Sequence, residues 1–415
     1  MPANRRSFLK SSLAASSLVS LGAATVPTFL GRSAQAARGL ASSERVLVVI
    51  QLIGGNDGLN TVVPHGIDGY TRARRLLRLP SGQMHAVNKE IALHPGMGQM
   101  AKLLESNRLA IIQGVGYPNP DRSHFRSMEI WESARVDTKP DSLETGWLGR
   151  IIDQRADDST SDLPALHIGP KRVPLALKAK RAEAPSLENL EQFKLKLADA
   201  SRAGEARQAL GDVARAGPTD DPLLGFIRRS TLAAYDSSQR LETVVNTKDG
   251  AVKYPASGLA NRLSLIARII KAGFNTPIYY TSLDGFDTHA NQLGSHAALL
   301  TELSDAVASF HDDMKDAKLD DRVCVLMFSE FGRRVAENAS AGTDHGAGAP
   351  VCVVGPVAKP GLVGDHPSLE DLDDGDLKFH TDFRRVYASL LTDWLGIPAE
   401  PILGPGFESL GLFKA

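Results

Sequence analysis

The sequence predicts an α/β fold: a mostly parallel central sheet, helices on both faces, and a helical cap or insert over one edge. Three observations predict it. Short apolar runs bounded by Gly or Pro recur along the chain, as the buried strands of a parallel sheet require. Segments of helical periodicity alternate with them. Ionisable residues stand where the runs stop, and open parallel sheets bind ligands at the carboxyl ends of their strands.

In chain order, strands are expected at 45–53, 109–114, 165–168, 277–283, 322–328 and 351–354. Helices are expected at 96–105, 123–133, 259–272, 290–316 and 382–395. In the last of these Phe383, Val386, Tyr387, Leu390, Leu391 and Trp394 make one apolar stripe. Gly396-Ile397-Pro398 then stops it. The interval 186–248 differs, being polar and rich in Ala, Arg, Glu and Asp. It is expected to form a helical insert at about 186–250. No repeat or long linker divides the remainder, so 37–415 is expected to be one domain. The acidic stretch 365–376 has Asp spacing faintly like a calcium loop, but its Gly is misplaced and the closing Glu is missing, so a solvated turn is expected.

Arg5-Arg6-Ser7-Phe8-Leu9-Lys10, a short apolar stretch and Ala34-Gln35-Ala36 have the form of a twin-arginine signal ending at residue 36. The apolar stretch is too short and too rich in Ser and Gly for a good spanning helix, so no transmembrane anchor is expected after cleavage. A periplasmic or secreted protein is expected. The first 36 residues hold four of the 47 basic residues and none of the 48 acidic ones, so the remainder carries a net charge of about −5. That balance argues against nucleic acid as a partner. Cys324 and Cys352 are the only cysteines, both within apolar runs. They are either core thiols or, if the runs are neighbours, a disulfide.

Several signatures are missing: no G-x-S-x-G elbow, no P-loop, no zinc-type Cys pair. Gly114-Val115-Gly116 begins like a dinucleotide fingerprint but loses its third Gly and runs into Pro118 and Pro120. What remains is a set of polar residues at strand ends. Gly54-Gly55-Asn56-Asp57 turns after the first strand and presents Asp57, which also suits a helix cap. Arg122-Ser123-His124 stands where a helix begins. A Ser there is by default an N-cap, yet a hydroxyl at a helix N-terminus is also placed to attack an anionic ester, with Arg122 and His124 beside it as anion holder or acid–base. Asp287 and His289, two apart in an extended segment, face the same side and fit one metal. Glu330 ends the fifth strand, and Asp344-His345 precedes the sixth. His296 and His311 fall on a helix and are read as surface or packing residues. Carboxylates crowded in one cleft repel unless cations lie between them, so one or two divalent metals are predicted, with zinc, manganese, iron or magnesium suited to these donors.

The order of these motifs is specific. Gly-Gly-Asn-Asp (54–57), Arg-Ser-His-Phe (122–125), Gly-Phe-Asp-Thr-His-Ala-Asn-Gln (285–292), Ser-Glu-Phe-Gly-Arg-Arg-Val (329–335) and Gly-Thr-Asp-His-Gly (342–346) resemble an exported family of unknown function grouped with the alkaline phosphatase and sulfatase superfamily. The resemblance runs from about residue 45 to 412 and implies an alkaline-phosphatase-like fold. It also implies that Asp57 binds one of two metals and that Ser123 is the nucleophile carrying a covalent ester. Asp287, His289 and His345 would hold the other metal. The superfamily phosphatases end the strand matching 323–328 in Asp-His, whereas this chain has Glu330-Phe331, and Phe331 cannot bind a metal. Asp344 could compensate, or one metal could replace two; His380 is a further possible ligand.

The leading expectation is an exported metal-dependent hydrolase of small anionic phosphate or sulfate esters, with Arg122 and Arg333 clamping the anion. Two alternatives accompany it. One is a binding or assembly protein that kept the scaffold and lost the chemistry; members of the resembling family are often encoded beside another large exported protein, which would be its partner. The other is a metal-free Ser/His hydrolase using Ser123 and His345.

Overall fold

The centre of the molecule is a nine-stranded sheet. In the computed structural model its strands are β1 (Val46–Ile53), β2 (Leu109–Gly116), β3 (Leu166–Ile168), β4 (Ser186–Leu187), β5 (Ile278–Asp284), β6 (Val323–Ser329), β7 (Ala349–Val354), β8 (Gly361–Val363) and β9 (Thr381–Asp382). The structure describes residues 45–136, 143–154, 163–169, 173–181, 184–187 and 251–414, plus two paired two-residue strands, Ala24–Thr25 and Lys196–Leu197. The signal expected at 1–36 and the helices expected at about 186–250 otherwise lie outside the described residues.

The spatial order is β8-β2-β7-β6-β1-β5-β3-β4, with β9 also paired to β2. The strands fall where the apolar runs are, because a strand buried on both faces needs no polar alternation. Along β1, Val46, Val48, Ile50 and Leu52 enter one core and Leu47 and Val49 the other. Helices α1 (Gly98–Glu105), α4 (Gly258–Lys271) and α5 (Gln292–Asp316) build the first core. Helices α2 (His124–Ser133), α3 (Trp147–Gln154) and α6 (Phe383–Ala388) build the second. The expected mostly parallel sheet with helices on both faces is the architecture observed.

One strand departs from the parallel pattern. β7 runs antiparallel to both β6 and β2. Its start therefore lies at the edge where its neighbours end, and the loop leading into it delivers Asp344 and His345 to the carboxyl edge of β1, β5 and β6. A parallel β7 would have delivered them to the opposite edge.

The helix expected at 382–395 is two pieces. α6 ends at Ala388 and a π-helical turn, Ser389–Trp394, follows. The Ser389 hydroxyl donates to the Arg385 carbonyl at 3.0 Å and accepts from Leu410 N–H at 2.8 Å. Such competition for backbone partners widens a helix. α3 and a small three-stranded sheet (Val62–Val63, His85–Ala86, Ala92–Leu93) were not expected. Cys324 and Cys352 are free and buried. Adjacent strands carry them, but Cys352 pairs with Met327, and the two thiols enter opposite cores, so a disulfide is ruled out by the pleat. Among the described residues no helix is long and apolar enough to cross a membrane.

Candidate functional site

The turn after β1 brings two loops together. Gly54 has φ of 120°, and a Cβ there would meet Asp287 N at 2.4 Å. Gly55 has φ of 72°, and a Cβ would meet the Phe331 ring at 2.3 Å. Only glycine lets this turn lie against both the loop after β5 and the loop after β6.

At that meeting point three imidazoles face one carboxylate. Asp287 Oδ1 lies 3.0 Å from His289 Nε2, 3.2 Å from His345 Nε2 and 3.4 Å from His124 Nε2. His289 Nε2 and His345 Nε2 are 2.9 Å apart. Ligand atoms of His124, Asp287 and His345 all fall within 4.8 Å of one another. Each imidazole is held from behind through Nδ1. His124 Nδ1 donates to Glu330 Oε1 at 2.8 Å, His345 Nδ1 to the Arg122 carbonyl at 2.7 Å, and His289 Nδ1 lies 3.3 Å from Asp344 Oδ1. A carbonyl oxygen only accepts, so the His345 proton sits on Nδ1 and its Nε2 carries a lone pair. His124 and His289 each have a carboxylate oxygen at both ring nitrogens, Asp287 Oδ1 at Nε2 and Glu330 or Asp344 at Nδ1. Three Nε2 atoms thus converge on one carboxylate oxygen. His124 Nε2 is buried and has no hydrogen-bond partner.

The groups of the cluster shift one another's charge states. Burial pushes the Asp287 carboxyl up, but Arg333, His345 and His124 outweigh it and hold it at about 2. The Glu330 hydrogen bond pushes His124 up, and burial pushes His345 down. Arg333 is fully buried and donates to Asp287 Oδ1 at 2.6 Å and to the carbonyls of Gly54, Gly55, Thr343 and Phe286. With neutral rings, Asp287, Glu330 and Asp344 against one guanidinium leave two negative charges uncompensated, the charge of one divalent cation. Asp287 and His289 are half-exposed, so the cluster opens to solvent on their side.

Phe331 does more than withhold a ligand. Its ring is buried and packs against both His124 and His345, with centroids 4.8 Å away in each case. It walls off the side on which a further ligand would stand.

The structure reassigns several expected roles. Asp57 does not join the cluster: its carboxylate is wholly buried, takes Arg74 Nη1 at 2.5 Å and Nη2 at 3.0 Å, and accepts from Gln292 Nε2 at 2.5 Å. Burial pushes it up, and the Arg74 charge and hydrogen bonds bring it below the usual carboxylate range. Glu330 and Asp344 reach the site but sit behind the imidazoles rather than among the converging donors. His124, expected as an acid–base group, turns its ring to Asp287 and joins the cluster; its place at the start of a helix after Ser123 was the available signal. The Arg333 clamp is also corrected, because every Arg333 nitrogen is committed to buried partners. Arg122 is engaged by Asp374 and Asp376. His296 is buried against Asn56, as a packing residue, and His311 is buried too. His380 contacts Thr381 and the Asp365 carbonyl, away from the cluster.

Ser123 is the exposed N-cap of α2, and its side chain makes no capping bond. The residues on both sides of it touch the cluster: Arg122 through its carbonyl, His124 through its ring.

A model of the family described as "Protein of unknown function (DUF1501)" matches residues 44–380. The chain belongs to that family. A comparison with curated proteins gives no match. Among solved structures the chain is similar to a protein in the alkaline phosphatase superfamily from Vibrio parahaemolyticus, at 9% identity over 97% of this chain and 78% of that one, with a TM-score of 0.41. It is similar to the lipoteichoic acid synthase LtaP from Listeria monocytogenes, at 9% identity over 94% and 80% of the two chains, TM-score 0.36. The PsFucS1 sulfatase from Pseudoalteromonas sp. gives 11% identity over 89% and 70%, TM-score 0.34. At such low identity and TM-score these likenesses do not bear on substrate or reaction.

Proposed function

We propose that the protein is an exported, metal-dependent hydrolase of phosphate or sulfate esters, with one divalent cation held by His124, Asp287, His289 and His345. One observation carries the reading: the Nε2 atoms of His289, His345 and His124 converge on Asp287 Oδ1, at 3.0, 3.2 and 3.4 Å. A proton on the His289 ring or a cation held between the rings accounts for a close approach of two ring nitrogens, and as a metal site three imidazoles with a carboxylate suit zinc or manganese better than magnesium. The bound ion would act as a Lewis acid on an ester oxygen. The chain supplies the rest. Ser123, at the helix N-terminus where developing negative charge is favoured, attacks the phosphorus or sulfur. An Oγ–P or Oγ–S bond forms, the alcohol departs with its bonding pair and takes up a proton, and the Ser proton passes to solvent. Water then cleaves the Ser ester.

Metal analysis after purification, with turnover of an aryl phosphate and an aryl sulfate, tests this. Bound metal and turnover that Ser123→Ala abolishes are expected. Turnover unchanged in Ser123→Ala would end the nucleophile assignment.

A second reading, an exported binding or assembly protein, is favoured by the buried guanidiniums. Arg74 neutralises Asp57 and Arg333 partly neutralises Asp287. It expects a metal-poor chain that co-purifies with another exported protein.

A further inference from the structure

The guanidiniums of Arg122 and Arg334 converge on one exposed carboxylate. That carboxylate is Asp374, at the tip of a hairpin formed by Leu372–Asp373 and Asp376–Leu377. Asp374 and Gly375 have φ of 51° and 83°, the left-handed pair of a tight two-residue hairpin turn. Arg122 Nη1 and Nη2 each lie 3.2 Å from Asp374 Oδ2, and Arg334 Nη2 lies 3.4 Å from the same oxygen.

The two carboxylates of the hairpin play different parts. Asp376 is buried and takes Arg122 Nε at 2.9 Å and Nη2 at 2.7 Å, fixing the plane of that guanidinium. Asp374 is 75% exposed and held only by long contacts. Exposed, loosely held ion pairs contribute little to stability. The inner acid orients the fork, and the outer one merely fills it. Arg334 is also steadied through its backbone, since Nη1 donates to the Asp374 carbonyl at 3.0 Å and its N–H to the Asp344 carbonyl at 3.0 Å. Both arginines adjoin the cluster in the chain: the Arg122 carbonyl holds His345, and Arg334 follows Arg333.

We propose that Arg122 and Arg334 form a binding subsite for a singly charged tetrahedral oxyanion, and that Asp374 occupies it as an internal stand-in. Two guanidiniums against Asp376 leave one positive charge, which selects a monoanion such as a sulfate ester or a phosphodiester. Planar guanidinium forks match such oxygens in pairs. The subsite rests on the hydrolase reading only in assigning that anion to a substrate: it would hold a second anionic group of the ester, or the group itself before reaction.

The test is calorimetric titration of methyl sulfate and of dimethyl phosphate into the full chain and into Asp374→Asn. Asn tolerates the left-handed turn and keeps the backbone carbonyl that Arg334 uses. Asp374→Asn is expected to bind at least about tenfold more tightly than the native chain, with its melting temperature unchanged, and Arg334→Gln in that background is expected to return binding to the native level. The stronger of the two probes identifies the ester class. The measurement is repeated with a chelator. Tightening that survives chelation supports the fork even if no metal is ever found; tightening that chelation removes assigns the anion to the cluster and overturns the subsite. No tightening in a folded Asp374→Asn chain overturns it as well.

Discussion

Asp57 and Asp287 stand on neighbouring loops at one sheet edge, after β1 and β5, and meet opposite fates. Asp57 is sealed from water and has both oxygens taken by Arg74 and Gln292. Asp287 is half-exposed, and beside its single arginine contact it faces three imidazole nitrogens. A carboxylate at a strand end is thus a structural or a ligand-binding group according to what its neighbours donate. Guanidinium and amide N–H groups close the first site; three imidazoles and solvent surround the second.

The comparison can be broken from either side. The largest expected effect is on metal: His345→Ala or Asp287→Ala is expected to reduce bound metal to background while the chain stays folded, as measured by elemental analysis beside a thermal melt. Retained metal would remove Asp287 and His345 from the ligand set. On the other side, Arg74→Met strands a buried charge, and breaking such a pair costs about 3–5 kcal/mol. Chemical denaturation should show that loss with metal content per folded chain unchanged. If Arg74→Met instead gains a second metal, Asp57 is a latent ligand.

Smaller effects sharpen the contrast. Asp344→Asn or Glu330→Gln alters only the groups behind the imidazoles, and such changes weaken metal affinity by about 10- to 100-fold. Competition with a chromophoric chelator reads that out; an unchanged affinity would make these acids bystanders. The Asp57 pair also has a pH signature. The folded carboxyl titrates below its ordinary value of 3.8, so the stability it contributes is present above that value and is lost as pH falls through the lower, folded one. Asp57→Asn is expected to flatten this acid limb in denaturation measured with chelator present, and an unaltered limb would assign acid unfolding elsewhere.

Much of this was legible in the chain. Apolar runs marked the five longest strands and the short β3, because a doubly buried strand must be apolar throughout. The acid and His residues at their ends marked the edge that matters, and Asp287, His289 and His345 do converge. What periodicity could not supply was strand direction: β7 is antiparallel, and a run of four apolar residues reads the same both ways. Nor could it tell a donor from the group behind it. Glu330 and Asp344 look like ligands in sequence, whereas in space each carries an imidazole. Asp57 looked like a ligand because its partner Arg74 lies 17 positions away, just past the end of a short polar helix. Phe331 read only as a missing ligand, and its packing against His124 and His345 emerged from the fold.

The central claim is one cation among three imidazoles and a carboxylate. X-ray absorption at the metal edge on protein purified without added metal tests it most directly, because it identifies the element and counts its imidazole neighbours. One zinc or manganese ion per chain with three histidine ligands is the predicted result. A metal-free chain, or an ion lacking the imidazole shell, would contradict it.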